Sequence, residues 1–409
     1  MKKPLPVLFF AIFVVMIGAG ITLPVLPFFT ERLALSEGAS TQAVAVHVGL
    51  LTAAYPLMQF LLAPLWGLWS DRIGRKRLIA MGIAGSVATQ VLFAVSVSLW
   101  LLYAARILGG ILSSALFPAV AAYVSDVTGS TERSKGMAWI GTATSLGSIA
   151  GIALGGLSTR LDYHFQLASE HFRIDGFSIP FFWAAALMFG ALIFVRQWLP
   201  ESDPGASSTR PDLREWGDFA VQLRLPLSLA VASQFGLALF EATFALFAKD
   251  RLQYSPAEVG SAFLVCGVVM AIAQVPAAGL LGARWPIYGQ VWAGFALMAS
   301  GSMLLLALNA KLLVLLAVAI LALGMAIISP NLGALVSLKA GDRSGTALGA
   351  QGAANSLGQF AGPIVGGLLF AWQPVAPYAF GSAFLLSAAI LTARQTRESR
   401  PKMIPGEIE

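Results

Sequence analysis

The chain is poor in the residues on which most site chemistry depends. Its 409 residues include one cysteine, Cys266, and three histidines, and charged side chains make up only 11% of the composition. A single cysteine excludes an internal disulfide framework and a cysteine metal site. The sequence also lacks a phosphate-binding loop, an HExxH motif, a nucleophile elbow and any linked group of His and Cys. These absences disfavour an enzyme, and we predict that the protein has no cofactor and no metal site.

Hydrophobic residues are correspondingly abundant, at 57% of the chain. A helix needs about 20 mainly apolar residues to cross a bilayer core about 30 Å thick. The first apolar stretch contains Pro24 and Pro27, is too long for a signal peptide and lacks a small-residue cleavage site, so we interpret it as a span. The pattern predicts an all-α membrane protein with twelve transmembrane helices, at residues 5–29, 46–70, 78–97, 99–125, 136–158, 178–198, 225–248, 259–282, 287–308, 312–337, 345–371 and 375–394.

Basic residues are distributed unevenly between these spans. Most of the 26 Lys and Arg residues fall in segments on one side of the predicted membrane, together with both chain ends. The positive-inside rule therefore places both termini in the cytoplasm, with the protein in the inner membrane. The net charge of +6 is explained by these basic segments, which face membrane lipid. We expect no nucleic-acid partner, and we expect a monomer.

The longest polar stretch separates two related parts of the chain. Residues 200–218 are rich in Pro, Gly, Ser and charge, which predicts a cytoplasmic linker at 199–224 between halves at 1–198 and 225–409. Glycines and prolines of the two halves align in one register, in which the SLG sequence at 145–147 matches SLG at 356–358. We infer a duplicated six-helix unit.

The connection after span 2 carries a motif with fixed spacing, GLWSDRIGRKR at residues 67–77. Gly74 permits a tight turn, and the basic residues face anionic headgroups. A merely basic loop needs no acid, so charge placement alone does not explain Asp71. The spacing Gly-x3-Asp-Arg-x-Gly followed by basic residues resembles the signature of the major facilitator superfamily. That resemblance implies the major facilitator fold, with twelve transmembrane helices in two six-helix halves related by pseudo-twofold symmetry.

In similar proteins this connection latches the halves together in the outward-facing state. The acid caps a helix of the second half, and the arginine after the glycine pairs with an acid at the cytoplasmic end of span 4. A carboxylate at a helix N-terminus is favoured by about 0.3–1 kcal/mol, which makes the first role physically plausible. The equivalent stretch at 279–289 has lost the acid, so we expect an asymmetric latch, formed by Gly67, Asp71, Arg72, Gly74, Arg75 and Asp126.

Arg106 lies inside span 4, where an arginine costs a few kcal/mol unless it faces water or a partner. The spacing Leu102-x3-Arg106-x2-Gly109 resembles the superfamily's span-4 motif, whose arginine is implicated in proton coupling. The alternative is that the side chain extends to the outer interface.

Glu241 is the only acid well inside a span. Its surroundings, LALFEATFALFAKDRLQYSPAEVG, resemble span 7 of bacterial quinolone and multidrug exporters of the drug:proton antiporter family. The resemblance implies that Glu241 couples proton and drug, and a structural ion pair with Arg106 is the alternative. Relatives often carry a second acid in span 10, where this chain has Ala326. We therefore expect one proton per cycle.

Spans 5 and 11 are rich in glycine. Glycines four residues apart form a groove that lets another helix approach closely, and proline adds a bend. The GPxxGG sequence of span 11 resembles the antiporter motif of drug exporters, which is best known from span 5. Here span 5 has Ile152 in place of the proline, and helix packing alone is the alternative. The two copies comprise Gly147, Gly151, Gly155 and Gly156 in span 5 and Gly358, Gly362, Pro363, Gly366 and Gly367 in span 11.

A cavity for amphipathic substrates should be lined by aromatic and amide groups. The candidates are Tyr55, Gln59, Phe117, Phe235, Phe244, Asn331, Gln351 and Asn355. One acid among aromatic residues favours lipophilic cations, whereas a sugar site needs many amides and carboxylates. The sequence therefore predicts a proton-coupled secondary transporter that exports small amphipathic or cationic drugs. Its partners are the small-molecule substrate, protons and membrane lipid. The alternative is a transporter that exports or imports a physiological solute such as a sugar or metabolite.

Overall fold

A computed structural model describes residues 4–128, 130–158, 165–166, 173–174, 177–201, 213–279, 285–307, 310–340 and 344–398. The first half contains helices α1 (Pro4–Ser36), α2 (Thr41–Ile73), α3 (Arg75–Ala94), α4 (Leu99–Ser113), α5 (Leu116–Val127), α6 (Ser130–Ser158) and α7 (Ile179–Trp198). Between α6 and α7, strands β1 (Phe165–Gln166) and β2 (Arg173–Ile174) pair antiparallel. The second half contains α8 (Leu213–Leu252), α9 (Pro256–Gly279), α10 (Ile287–Ala307), α11 (Lys311–Ala340), α12 (Ser344–Trp372) and α13 (Ala376–Glu398).

The twelve predicted spans are confirmed as helical crossings, α4 and α5 forming one crossing together. Eleven segments of the described chain are long and apolar enough to span a membrane. The twelfth crossing is α12, whose 29 residues suffice in length but include many Gly, Asn and Gln residues, which lower its mean hydropathy. The chain is therefore a multi-pass membrane protein.

Several helix bounds differ from the predicted ones. Helix α1 continues beyond residue 29 to Ser36, and α8 begins at Leu213, inside the predicted linker. The predicted span 99–125 is interrupted at Ser114 and Ala115. Pro118 explains this break, because its ring would clash with the carbonyl of residue 114 in a continuous helix.

The two halves repeat the same packing pattern. Helix α1 packs on α6 as α8 packs on α12, and α3 packs on α7 as α10 packs on α13. Between the halves, α2 packs on α12 and α6 packs on α9, which are equivalent pairs under the same exchange. The bundle thus has the pseudo-twofold symmetry of the major facilitator fold. We call the end where α1 begins and α13 ends the termini side, and the opposite end the loop side.

Candidate functional site

The glycine-rich helices α6 and α12 hold each half together. A Cβ added at Gly151 would overlap the carbonyl oxygen of Ile17 in α1, and one added at Gly362 would lie 2.5 Å from the carbonyl oxygen of Phe235 in α8. Such distances are far below the 3.5–4.0 Å of ordinary contact. Only glycine allows this approach of the backbones. The same faces include Gly147 and Gly155 against α1, and Gly358 and Gly366 against α8.

The last glycine of each helix contacts the other half instead. A Cβ on Gly260 of α9 would lie 2.6 Å from the Cα of Gly156 in α6. A Cβ on Gly367 of α12 would lie 2.6 Å from the carbonyl oxygen of Ala45 in α2 and 3.2 Å from the Cα of Gly49. Both contacts are on the loop side. Two pseudo-equivalent glycine contacts therefore close the halves against each other there.

Pro363 takes part in the second of these contacts. Its carbonyl oxygen would lie 2.4 Å from a Cβ added at Gly49. The glycines of α6 and α12 were predicted to let helices approach closely, as an antiporter-like motif or by packing alone, but their partners Gly49 and Gly260 were not predicted. The signal was available, because these two glycines are equivalent in the register that aligns the two SLG sequences.

An ion pair reinforces the loop side. Lys249 of α8 donates to Glu31 of α1, with 2.5 Å between Nζ and Oε2. The carboxylate is mostly enclosed, with its side chain 14% exposed, and the ammonium is 43% exposed. This pair joins the two halves, and the sequence did not predict it because Glu31 lies outside every motif and no local pattern relates it to Lys249.

Open space surrounds the glycines of α6 and α12 nearer the termini side. A Cβ added at Gly141, Gly349 or Gly352 would have no atom within 4 Å. Gly141 and Gly352 are equivalent in the repeat register. Each lies fifteen residues before the glycine that closes the loop side, which is about 22 Å along a helix. At these positions the glycine faces are closed on the loop side and open toward the termini, and they are packed again only near the start of α6, where a Cβ on Gly136 would lie 2.8 Å from the Val124 side chain.

The predicted latch is described in part. Gly74 has φ +95°, a conformation that favours glycine, and it forms the turn between α2 and α3. The Arg75 Nε donates to the Asp126 Oδ2 at 3.1 Å, which joins the start of α3 to the end of α5. The side chains of Asp71 and Arg72, and the contacts of Gly67, lie outside the described part of the chain. The pairing of Arg75 with Asp126 has the predicted geometry, and the capping role of Asp71 stays a prediction.

Arg106 is held in α4 without an ionic partner in the described ranges. Its guanidinium carbon lies 5.9 Å from the ring centroid of Phe93 in α3, and Tyr55 of α2 is within electrostatic range. The Nε atom is enclosed and makes no hydrogen bond. An enclosed Nε argues against a side chain that extends to the outer interface. The residue as a whole keeps partial exposure.

Glu241 lies in α8, on the other half. It is partly exposed among buried neighbours, and no hydrogen bond or ion pair involves it in the described structure. Cys266 of α9 is close enough to interact electrostatically with the carboxyl group. Neither Glu241 nor Arg106 is paired with the other, so the alternative of a structural ion pair between them is not observed in this conformation.

The eight predicted cavity residues divide into two groups. Phe235 packs on α13 with its ring centroid 4.8 Å from that of Phe384, and Phe244 is fully buried with Phe240 and Phe263. These two rings are helix-packing residues in this conformation, contrary to expectation, because their faces on α8 point to neighbouring helices. Asn331 and Gln351 are also buried, whereas partial exposure is kept by Tyr55, Gln59, Phe117 and Asn355.

Comparison with known proteins agrees with this architecture. The chain is 29% identical over 394 residues to Multidrug resistance protein 1 of Bacillus subtilis, covering 95% of each chain. It is 26% identical over 409 residues to the Quinolone resistance protein NorA of Staphylococcus aureus, covering 96% of each. A bacterial homolog of the human lysosomal transporter Spinster, solved in an inward-facing and occupied conformation, has the same fold. Its TM-score is 0.74 at 15% identity, over 96% of this chain and 97% of that one.

The family model of the Major Facilitator Superfamily matches residues 8–363 and 227–408. These matches span both halves, including α2, α4, α8 and α12, which carry the residues described above. The relatives and structural neighbours are transporters rather than enzymes. Their agreement with the repeated six-helix architecture leads to one conclusion: the chain belongs to the Major Facilitator Superfamily.

Proposed function

We propose that this transporter exports small amphipathic or cationic compounds in exchange for protons by alternating access. The observation that carries the proposal is Glu241, a carboxyl group inside a membrane helix with no ionic or hydrogen-bonding partner in the described structure. A carboxyl group in a low-dielectric environment is stable when it is protonated or when it holds a cation, and unstable as a bare anion. It can therefore serve as a shared site for which a proton and a cationic substrate compete.

The relatives support the export of drugs. Multidrug resistance protein 1 and NorA are named for resistance to multiple drugs and to quinolones, and both align over nearly the whole chain. A function in efflux across the inner membrane follows by analogy with these proteins. A single carboxyl group with aromatic neighbours is compatible with amphipathic or cationic drugs as substrates.

The contacts between the halves support alternating access. The loop side is closed by the Gly156–Gly260 and Gly49–Gly367 contacts and by the Glu31–Lys249 ion pair. If the termini are cytoplasmic, this conformation is closed to the outside. The competing conformation would break these loop-side contacts and close the termini side through the latch at Gly67–Arg75. The linker 199–224 would then connect two halves, 1–198 and 225–409, that move against each other.

The proposed cycle needs only one proton. Proton uptake by Glu241 from the outside releases a cationic substrate, and loss of that proton toward the cytoplasm prepares the carboxylate for the next one. Arg106, fixed in the other half, is proposed to favour proton release by its positive field. Exchange of one proton for one monovalent cation then moves no net charge.

The test is transport by the purified protein in vesicles whose lumen is more acidic than the medium. A permanently charged cation such as ethidium avoids passive trapping of weak bases, and protein-free vesicles correct for leakage. One unit of pH difference corresponds to about 1.4 kcal/mol, or roughly tenfold accumulation for one-to-one exchange. We expect Glu241→Gln to abolish accumulation.

The matched control is Asp250→Asn, which removes an exposed carboxylate near the end of the same helix. We expect it to accumulate ethidium as the wild-type protein does. Accumulation by the Glu241→Gln protein at the wild-type level would show that this carboxyl group is not the coupling site.

A further inference from the structure

A cavity of about 400 Å³ lies on the loop side of the first half. Its walls come from the turn between α1 and α2 and from the loop-side ends of α2 and α4. The lining residues are Glu37, Gly38, Ala39, His47, Leu99, Trp100 and Tyr103. None of them has a role in the proposed transport cycle. Ligand pockets ordinarily measure about 300–1,000 Å³, so this space suffices for a small organic group.

Glu37 brings a negative charge to the cavity. Its Oε1 accepts a hydrogen bond from the backbone N–H of Leu99 at 2.8 Å, which caps α4 and fixes the carboxylate. Within the described ranges, no ion pair involves Glu37 and its Oε2 has no hydrogen bond. The residue is exposed. This carboxylate can therefore bind a cation without giving up its bond to α4.

The second half neutralises an acid in the comparable place. Lys311 begins α11 as Leu99 begins α4, and each is the first residue of the fourth crossing of its half. The ammonium of Lys311 pairs with Glu258, in the first turn of α9. In the first half the helix begins with an apolar residue, and Glu37 has no such partner in the described part of the chain. The two halves thus differ by one positive charge beside this acid.

Aromatic side chains line the same cavity. Trp100 is 80% exposed at the start of α4, and exposed indole rings at helix ends ordinarily lie at the membrane–water interface. The hydroxyl oxygen of Tyr103 lies 3.0 Å from Nδ1 of His47, and this hydrogen bond joins α4 to α2. The faces of Trp and Tyr rings attract cations, and quaternary ammonium ligands are commonly recognised in this way. A hydrated metal ion fits less well, because one carboxylate supplies too few oxygen ligands.

We propose that Glu37, Trp100 and Tyr103 form a loop-side site for the ammonium group of an amphipath, separate from Glu241. The apolar part of the ligand would lie in the membrane beside Trp100, since this ring is exposed at the interface. Two sources offer this chemistry: a lipid headgroup such as that of phosphatidylethanolamine, and a free cationic amphipath. The site does not depend on proton coupling.

The experiment observes Trp100 directly by fluorine NMR. Purified protein labelled with 5-fluorotryptophan is placed in phosphatidylglycerol nanodiscs, whose lipid carries no ammonium group, and Trp100→Phe identifies the resonance by its loss. One probe is dodecyltrimethylammonium, a free amphipathic cation, and the other is phosphatidylethanolamine, mixed into the nanodiscs in increasing fraction. Dodecyl maltoside has the same tail as the first probe without the charge, and it corrects for insertion of the tail into the bilayer. All spectra are recorded at fixed pH without any gradient.

We expect a saturable shift of the Trp100 resonance with at least one ammonium probe and none with dodecyl maltoside. Glu37→Gln removes the charge but keeps an acceptor for the Leu99 N–H, and it should weaken binding by about tenfold or more, as is typical for loss of a contact to a charged group. Leu99→Lys copies the arrangement at Lys311 and should weaken binding comparably, because the new ammonium neutralises Glu37 from within the protein.

Two acids serve as controls. Glu258→Gln removes a loop-side carboxylate that Lys311 already neutralises, and it should leave the affinity unchanged. Glu241→Gln removes the carboxyl group of the proposed transport site, and it should also leave the Trp100 titration unchanged. Because this variant is part of the comparison, a failure of proton coupling in the ethidium assay leaves the result independent.

The outcomes also separate the two sources. A shift with phosphatidylethanolamine alone assigns the site to a lipid headgroup, a shift with dodecyltrimethylammonium alone assigns it to free amphipaths, and shifts with both support the shared chemistry. No saturable shift with either probe, an unchanged affinity in Glu37→Gln, or loss of the shift in Glu241→Gln would overturn the proposal. If the Glu37→Gln protein does not fold, Leu99→Lys decides, and an unchanged affinity there also refutes the site.

Discussion

Replacing Gly260 by alanine should open the loop side of the transporter. The new Cβ would lie 2.6 Å from the Cα of Gly156, in the other half, whereas two carbon atoms in contact are about 3.5–4.0 Å apart. The Cα is a helix backbone atom and the position of the Cβ is fixed by the backbone, so neither can rotate away. The helices α6 and α9 must therefore separate by about 1 Å for the variant to keep this conformation.

The size of the effect follows from the cost of overpacking. An extra methyl group in a well-packed interface typically costs about 1–3 kcal/mol. The cost falls only on the conformation in which the two glycines touch, so it changes the equilibrium between conformations rather than the fold. A difference of this size corresponds to a shift of about 5–150-fold toward the state that is open on the loop side.

Spin-label distances would measure the shift. Labels on Thr41→Cys, at the start of α2, and Gln373→Cys, after α12, report the separation of the halves at the loop side in a Cys266→Ala background. Gly190→Ala is the matched control, because a Cβ at Gly190 of α7 has no atom within 4 Å. We expect a longer-distance population to grow in Gly260→Ala and to be unchanged in Gly190→Ala. Identical distance distributions for both variants would refute the view that the glycine contact closes the halves.

Four further tests concern the same cycle. Gly352→Leu should shift the spin-label distances in the opposite direction, because it obstructs closure of the termini side; a longer distance would contradict this. Lys249→Gln removes one member of the ion pair with Glu31. Because such partly exposed pairs contribute about 0–1 kcal/mol, we expect a few-fold shift at most toward the loop-open state. The shift should be smaller at high salt. Asp71→Asn should leave membrane insertion and substrate binding largely intact while it slows turnover, and normal transport rates would remove Asp71 from the latch. A potential of 100 mV contributes about 2.3 kcal/mol for each net charge moved. One-to-one exchange of ethidium for a proton moves no net charge, so it should respond to the pH gradient and not to membrane potential alone.

Local sequence patterns predicted much of the fold. The lengths of the apolar stretches gave the number of spans, because a helix that satisfies its own backbone is the stable way for such a chain to cross lipid. Gly74 predicted the turn between α2 and α3, since few other residues tolerate its positive φ. The family resemblance of the motif at 67–77 also implied the pairing of Arg75 with Asp126, which joins neighbouring helices of one half.

Other features depended on how helices pack. Phe235 and Phe244 have the composition expected of a cavity wall, yet both are buried against neighbouring helices, since the face of α8 on which they lie is fixed by its contacts with α9 and α13. The ion pair between Glu31 and Lys249 joins residues more than two hundred positions apart, for which no local pattern exists.

The sequence by itself determined the twelve helices, the relation of the two halves and the presence of two charges within the membrane. These properties follow from hydrophobicity and spacing along a single stretch of chain. Only the tertiary structure decided that Gly156 and Gly367 contact the opposite half, and that Arg106 and Glu241 remain unpaired. The physical reason is that the arrangement of two rigid halves is set by contacts between distant segments, and these contacts change while every helix keeps its own hydrogen bonds.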